Sequence, residues 1–404
     1  MPSIEDNLKH INTLINKHRV ILELLNLTSN NETMLVGGCV RDFLIHGTIS
    51  TDTDISTTLS PQEVKNALFL LKKTKDFKSI TVLDRDEKYG TIVAICDKYR
   101  YEITTTRADI NCFGRQAEVK LCKSFEVDSN RRDFTINALY LNINGEIFDY
   151  HNGIDDLKNK RIVFIGNPKD RIIEDYLRII RFVRFSTKFN NFNIDKSIIK
   201  IIKENSTHLI KISRERIKSE IWKMLQYNNW FYGLIFCYNI NIIKNIFLLD
   251  EKGFLINKNS DNYHQQIELN DNNLINYNIS KLFYFFNYNK EILKSFYQNL
   301  KFTNQEKKIA DFLIDIWQKT NNGNNFNIDS KMKLYYSDNY LIQSCLSLFQ
   351  NEIRKDIIYF INNKKTLIID TDKLIKEGYT GKNLGKKIKE LERNFVINNF
   401  QKNY

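Results

Sequence analysis

Carboxylates and cations gather at several points along the chain in patterns that suit phosphate chemistry. Asp52 and Asp54 stand two residues apart in a segment with strand character. A period of two puts both side chains on one face, about 7 Å apart along the backbone. Hard oxygen ligands at that spacing can converge on one or two divalent cations, which activate a hydroxyl nucleophile and neutralise a leaving pyrophosphate. Glu102, in YRYEITTTR, offers a third carboxylate from a neighbouring strand. Alone, a D-x-D pair also suits an Asx turn, and Glu102 also suits a solvated strand.

Three further groups bracket that pair. Gly37-Gly38 closes one apolar run and opens another, so backbone N–H groups at a helix start can approach a phosphate with no Cβ in the way. Arg41, one turn on, adds a fork of donors for phosphate oxygens, with Asp42 beside it. Arg131-Arg132-Asp133, followed by Asn137, sets two cations beside an acid and suits phosphate or ribose contacts as well as a salt-bridged helix start. Finally, Asp175, Arg178 and Arg181 follow at i, i+3 and i+6, which predicts one helix face. An acceptor beside a donor matches the amino group and ring nitrogen on the pairing edges of cytosine and adenine, and mismatches uracil and guanine. The bland alternative is a surface ion-pair ladder.

The elements that must hold these residues change character along the chain. An amphipathic helix over about 4–26 precedes a strand at Thr33–Val36, the glycine pair and a short helix. A strand around Asp52–Ser56 follows, then a helix opened by Pro61 and β-rich segments at Ser79–Leu83, Thr91–Cys96 and Tyr101–Thr106. The pattern predicts a helix over about Phe134–Leu141 and a hairpin turning at Asn144-Gly145. From Pro168 onward helical periodicity takes over, and the Asn-rich 227–330 segment reads as helices joined by polar loops. The expected fold is α+β, an α/β head followed by an elongated helical body.

With 404 residues, 42% hydrophobic and 27% charged, the chain carries enough apolar material for a packed core. The 60 Lys and Arg against 48 Asp and Glu leave +12, which points to a polyanionic partner unless Lys is simply favoured throughout. Six scattered cysteines form no C-x-x-C or Cys/His metal spacing and read as reduced thiols, hence a cytoplasmic protein. No signal-like h-region opens the chain, and the most apolar window, Phe231–Leu249, is broken by Asn239, Asn241, Lys244 and Asn245. No membrane partner is expected.

Taken in order, the motifs GGxVRD (Gly37 to Asp42), DxD (Asp52, Asp54), RRDFT-NA (Arg131 to Ala138), EDxxRxxRF (Glu174 to Phe182) and SRERI-SE (Ser213 to Glu220) resemble the class II CCA-adding tRNA nucleotidyltransferases and the related bacterial poly(A) polymerases. The resemblance covers about 33–225, and Gly378 to Glu392 faintly resembles a tail segment of that family. It implies a polymerase-β-like nucleotidyltransferase head over 1–150, a base-recognising neck over 151–225, and a tRNA-binding body and tail over 226–404. It also implies Mg²⁺ on Asp52 and Asp54, with CTP and ATP as substrates and the tRNA acceptor end as partner. By the same resemblance Gly38 and Arg41 would contact the triphosphate and Arg132 the nucleotide. Asp175 and Arg178 would pair with the base, supported by Arg181. Arg107 and Asp109, in TRADINCFGRQAEV, resemble a flexible loop linked to switching from C to A. None of the six His is followed by Asp, which points away from the metal phosphohydrolase domain of some members. Glu87–Ile95 resembles the CCA-adding version of its strand, which favours CCA addition over poly(A) synthesis and leaves CC-only or A-only synthesis as alternatives.

Overall fold

The computed structural model describes residues 3–27, 32–74, 76–84, 87–113, 116–191, 194–249, 254–258, 274–320, 327–346, 355, 357–360, 362 and 366–400. The parts of the 227–330 reading that fall on 250–253, 259–273 and 321–326 lie outside the described residues, as does the Gly114-Arg115 step. The chain divides into two compact units, Met1–Ile212 and Ser213–Tyr404.

The first unit is built on a seven-stranded mixed sheet. Its strands are β1 (Thr33–Val36), β2 (Asp52–Thr57), β3 (Ile80–Leu83), β4 (Thr91–Cys96), β5 (Tyr99–Thr105), β8 (Leu139–Leu141) and β9 (Ile147–Asp149), in the order β3-β4-β5-β2-β1-β8-β9. β2 and β5 run parallel and every other neighbouring pair runs antiparallel. Along β2 the side chains alternate, with Asp52 and Asp54 outward and Thr53 and Ile55 buried. The long N-terminal helix is interrupted at His10 into α1 (Ile4–Lys9) and α2 (Ile11–Leu25), the first closed by a Ser3/Asp6 capping box. Helix α2 packs against α4 (Pro61–Leu71), and α4 against β4 and β5, which buries Leu14, Ile21, Leu22, Val64 and Leu68 completely. A separate ladder joins β6 (Arg107–Phe113) to β7 (Gln116–Leu121), with a register shift between Asp109 and Asn111. Residues resembling a flexible loop are therefore paired strand.

One predicted element is of the wrong kind. Where the sequence suggests a helix over 134–141, the chain makes a 3-10 turn at Thr135–Asn137 and then strand β8, central between β1 and β9. Leu139, Tyr140 and Leu141 are fully buried, and a short run apolar on every side has no period to separate helix from strand. The helix nearby is α5 (Phe125–Asn130), whose Val127 N–H is capped by Ser124 Oγ.

Three helices complete the part that carries site residues: α3 (Gly38–His46), α7 (Pro168–Glu174) and α8 (Leu177–Phe189). Helix α6 (Gly153–Lys158) docks closely on the 135–137 turn, because a Cβ on Gly153 would stand 2.3 Å from the Thr135 carbonyl oxygen.

Among its described residues the regular elements of the second unit are all helices. It includes Arg214–Leu225, Trp230–Asn239, Leu274–Phe285, Lys290–Asn299, Asn304–Lys319 and the long Gly381–Phe400. Phe231, Phe247, Phe283, Phe285, Phe286 and Phe296 form its aromatic centre. Arg214, from the SRERI motif, turns its guanidinium onto the carbonyls of Ile246 and Asn299, so it ties helices together rather than facing a ligand. Among the described residues no helix is long and apolar enough to cross a membrane.

Candidate active site

Parallel pairing of β2 with β5 places Asp54 opposite Glu102 and Asp52 opposite Arg100. Neighbouring strands lie about 4.8 Å apart, so the three carboxylates share one open sheet face. Arg100 sits among them, with Nη1 2.7 Å from Asp52 Oδ1 and Nη2 3.0 Å from Glu102 Oε2. Crowding by the surrounding protein, then repulsion from Glu102, push Asp54 up to about 6, although its carboxylate keeps an open face to solvent. Among the described residues no three His, Cys, Asp or Glu side chains are gathered as a ready-made metal cage. The donor set nonetheless fits Mg²⁺, which takes hard oxygens and needs only one or two carboxylates when substrate phosphates supply the rest.

The glycine turn meets this cluster at its edge. Gly37 has φ +72° and ψ −122°, a conformation open only to glycine, and caps α3. A Cβ there would stand 3.5 Å from Arg132 Nη1 and 3.8 Å from Asp54 Oδ2, so turn, cation and carboxylate meet at one corner. Arg132 is fixed from behind. Its Nε donates to Tyr140 Oη at 2.9 Å and its Nη2 to Asp128 Oδ2 at 3.2 Å. Tyr140 Oη donates to the same Asp128 oxygen at 2.7 Å, and Arg131 pairs with Oδ1 at 2.8 Å. Asp128 is completely buried; burial would raise its pKa, but Arg132 and Arg131 outweigh that and lower it. The sequence reading passed over Asp128, whose only signal is an acid three and four residues before two arginines.

Arg41 is placed differently from the expectation of a direct phosphate contact. Only 6% exposed, it gives Nε and Nη2 to the Asp42 carboxylate at 2.7 and 2.9 Å and Nη1 to Asn137 Oδ1. The physical reason is local: Asp42, the next residue of α3, and Asn137 take its donors, and the guanidinium stacks over Phe185 at 4.9 Å. Lys188 reaches Asp42 at 2.6 Å. Burial alone would raise Asp42, yet Arg41 and then Lys188 hold it at about 2. Asn137 Nδ2 donates to Asp133 Oδ1 at 3.0 Å, and Asp133 Oδ2 takes Arg181 through Nη2 at 2.5 Å and Nε at 2.6 Å. Asp133 is likewise held at about 2, burial being overcome by Arg181 and Asn137. One hydrogen-bonded chain thus joins residues drawn from three sequence motifs.

The expected single helix face for Asp175, Arg178 and Arg181 is not formed. Helix α7 stops at Glu174, Asp175 is extended (φ −149°, ψ 103°), and α8 begins at Leu177. Asp175 Oδ1 accepts the Leu177 N–H at 3.1 Å, the trade a short acid makes at a helix start. Arg178, in the first turn of α8, gives Nη1 to Glu174 Oε2 and to the Arg171 carbonyl, each at 2.7 Å. Arg171 in turn holds the carbonyls of Arg131 and Arg132 at 2.6 and 2.8 Å, which ties the start of α8 to the Arg132 corner. Arg107 lies at the foot of the β6-β7 ladder, where its backbone N–H meets Asp128 Oδ1 at 3.3 Å and its guanidinium meets the Tyr89 carbonyl. Asp109 is on β6, and its side chain lies outside the described atoms.

Residues 33–163 match the Poly A polymerase head domain family, and residues 191–247 the family described as the probable RNA and SrmB-binding site of polymerase A. The chain is 38% identical over 220 residues to the mitochondrial CCA tRNA nucleotidyltransferase 1 of Homo sapiens, 54% of this chain and 49% of that protein. It therefore spans about half the length of that relative. Against the CCA-adding enzyme of Ligilactobacillus salivarius it is 30% identical over 392 residues, 86% of this chain and 93% of the other. The fold is similar to the Bacillus stearothermophilus CCA-adding enzyme solved with CTP (TM-score 0.70, 20% identity, 95% and 93% of the two chains). It is also similar to the Thermotoga maritima CCA-adding enzyme complexed with tRNA (TM-score 0.62, 19% identity, 98% and 94%). With the head match, the near full-length likeness to a CCA-adding enzyme and the motifs joined in one network, the chain belongs to the family of CCA-adding enzymes and poly(A) polymerases.

Proposed function

We propose that the chain adds C, C and A to the 3′ end of tRNA from CTP and ATP, releasing pyrophosphate, with Mg²⁺ as the metal. The observation that carries this reading is the corner where Gly37, Arg132 and Asp54 meet, joined through Asp133 and Arg181 to the helix that follows Asp175. Asp52 and Asp54 would hold the metal with Glu102 alongside; bound there, it activates the terminal hydroxyl and neutralises the triphosphate. The Gly38 N–H, at the start of α3, faces phosphate oxygens, while Arg41 and Asp42 keep the turn in shape. Arg132, braced by Asp128 and Tyr140, faces the nucleotide. The 3′-oxygen forms its bond to the α-phosphorus as the bond to the bridging oxygen breaks, so the protein's work is positioning and charge neutralisation.

Base choice falls to Asp175 and Arg178. Glu174 and the Arg171 carbonyl fix Nη1 of Arg178, and Nη2 lies 3.4 Å from the Arg131 carbonyl, a long contact that a base edge would replace. We assign 1–150 as head, 151–225 as neck and 226–404 as tRNA-binding body and tail. Lys382, Lys386, Lys389 and Arg393 support the last assignment, since that spacing lines four exposed cations along one side of the Gly381–Phe400 helix. Arg107 and Asp109, on the β6 strand, are assigned to the switch from C to A. The reaction is placed in the cytoplasm, in keeping with the free thiols of Cys39, Cys96, Cys122, Cys237 and Cys345.

The test is to incubate the protein with tRNA lacking its 3′ end, Mg²⁺ and single labelled nucleotides. Incorporation of both C and A, ending after one A, is the expected result. Long A tails on unrelated RNA would reassign it as a poly(A) polymerase, and C alone or A alone as one half of a divided pair.

A further inference from the structure

Resting on the metal reading of the cleft, we propose that Arg100 is a built-in counter-cation of the carboxylate cluster, which competes with a divalent metal and therefore raises the metal concentration the site needs. Parallel register puts Arg100 directly across from Asp52, and its side chain returns along the same face to Glu102, two residues on. One guanidinium thus bridges two of the three carboxylates, at 2.7 and 3.0 Å. The third, Asp54, stands beside Glu102 in register and is repelled by it.

The geometry of the fork explains why the carboxylates share a face without closing into a cage. A guanidinium is planar and rigid, and its two prongs hold their acceptors apart at a spacing set by the fork. A small divalent ion draws the same oxygens to about 2.1 Å from one centre. The two arrangements compete at Asp52, because Oδ1 is turned toward Nη1, which leaves Oδ2 for a metal between Asp52 and Asp54, and because the guanidinium repels a divalent ion beside it. Arg100 is partly exposed, so on release its guanidinium returns to water. Its role is that of a positioning residue: it keeps the repelling carboxylates quiet before metal arrives and leaves when metal binds. The other cation near the cluster, Arg132, does not share this function, since Asp128 and Tyr140 fix it in place.

The test uses Mn²⁺ as probe, with free ion counted by electron paramagnetic resonance during titration of the full-length chain without nucleotide or RNA. Asp54→Asn should abolish uptake and so identifies the cleft signal. Arg100→Gln should bind Mn²⁺ about three- to tenfold more tightly than wild type. It should also show a lower metal-free melting temperature and a larger rise on adding metal, because the carboxylates have lost their counter-charge. Arg100→Lys, which keeps a cation but loses the fork, should tighten binding by a smaller factor and serves if the glutamine variant does not fold. Unchanged or weaker Mn²⁺ binding in both variants, with wild type binding normally, would overturn the role of Arg100 and leave the metal site standing. Wild-type protein that takes up no Mn²⁺ would undo the metal reading itself, and this proposal with it.

Discussion

At the scale of single residues, the cleft works by contrast between neighbouring acids. Asp54 is pushed up to about 6 by burial and then by the Glu102 carboxylate, while Asp42 and Asp133 are held at about 2 by cations. For Asp133 the sign follows directly. Its folded value lies below the ordinary one, so its stabilisation is complete above pH 4–5 and is lost as pH falls toward 2. Asp133→Asn should cost about 2–3 kcal/mol at neutral pH, and the gap to wild type should close between about pH 4 and 2, read by urea unfolding at several pH values. A gap constant down to pH 2 would show that the charge on Asp133 contributes nothing. Asp175→Ala should act on choice more than on rate, appearing as UTP or GTP incorporation; unchanged selectivity would remove Asp175 from base reading.

At the scale of elements, two close approaches decide whether the cleft is assembled. Gly37 must adopt positive φ to hand the chain from β1 to α3, and Gly153 must let α6 sit on the carbonyl of Thr135. Gly37→Ala has room for the methyl group but not the dihedral angles, so it should cost about 1–3 kcal/mol and weaken nucleotide binding at least about tenfold. Measured nucleotide affinity in the variant would check this, and a wild-type value would mean that the turn does not face phosphate. The break at Asp175 belongs to the same scale. Because α7 ends there, Asp175 and Arg178 are held by a helix start, the acid on the Leu177 N–H and the guanidinium on Glu174 and the Arg171 carbonyl, and not by one continuous helix face.

At the scale of the whole molecule, the +12 charge becomes a prediction about RNA. Each Lys or Arg on a phosphate releases counterions, so tRNA affinity should fall at least about tenfold between 50 and 200 mM salt. Lys386→Gln with Lys389→Gln should reduce the slope of log affinity against log salt by about 1–2, because both lie on the exposed cationic stripe of the Gly381–Phe400 helix. A flat salt response would mean that the surplus of Lys serves composition rather than binding.

Residue type and spacing by themselves determined the carboxylate strand, the glycine turn, the arginine pair and the change from mixed to helical structure, because these are written in local periods of 2 and 3.6. They also determined that Asp52 and Asp54 share a face. Only the tertiary structure decided what each charge meets. That Arg41 turns inward to Asn137, that Tyr140 joins Asp128 in bracing Arg132, and that Arg100 lies across from Asp52 all depend on contacts between segments whose register no local pattern encodes. The missed strand at 139–141 has the same cause: its partners, β1 and β9, supply the reason for its shape, and a uniformly apolar run carries no period of its own.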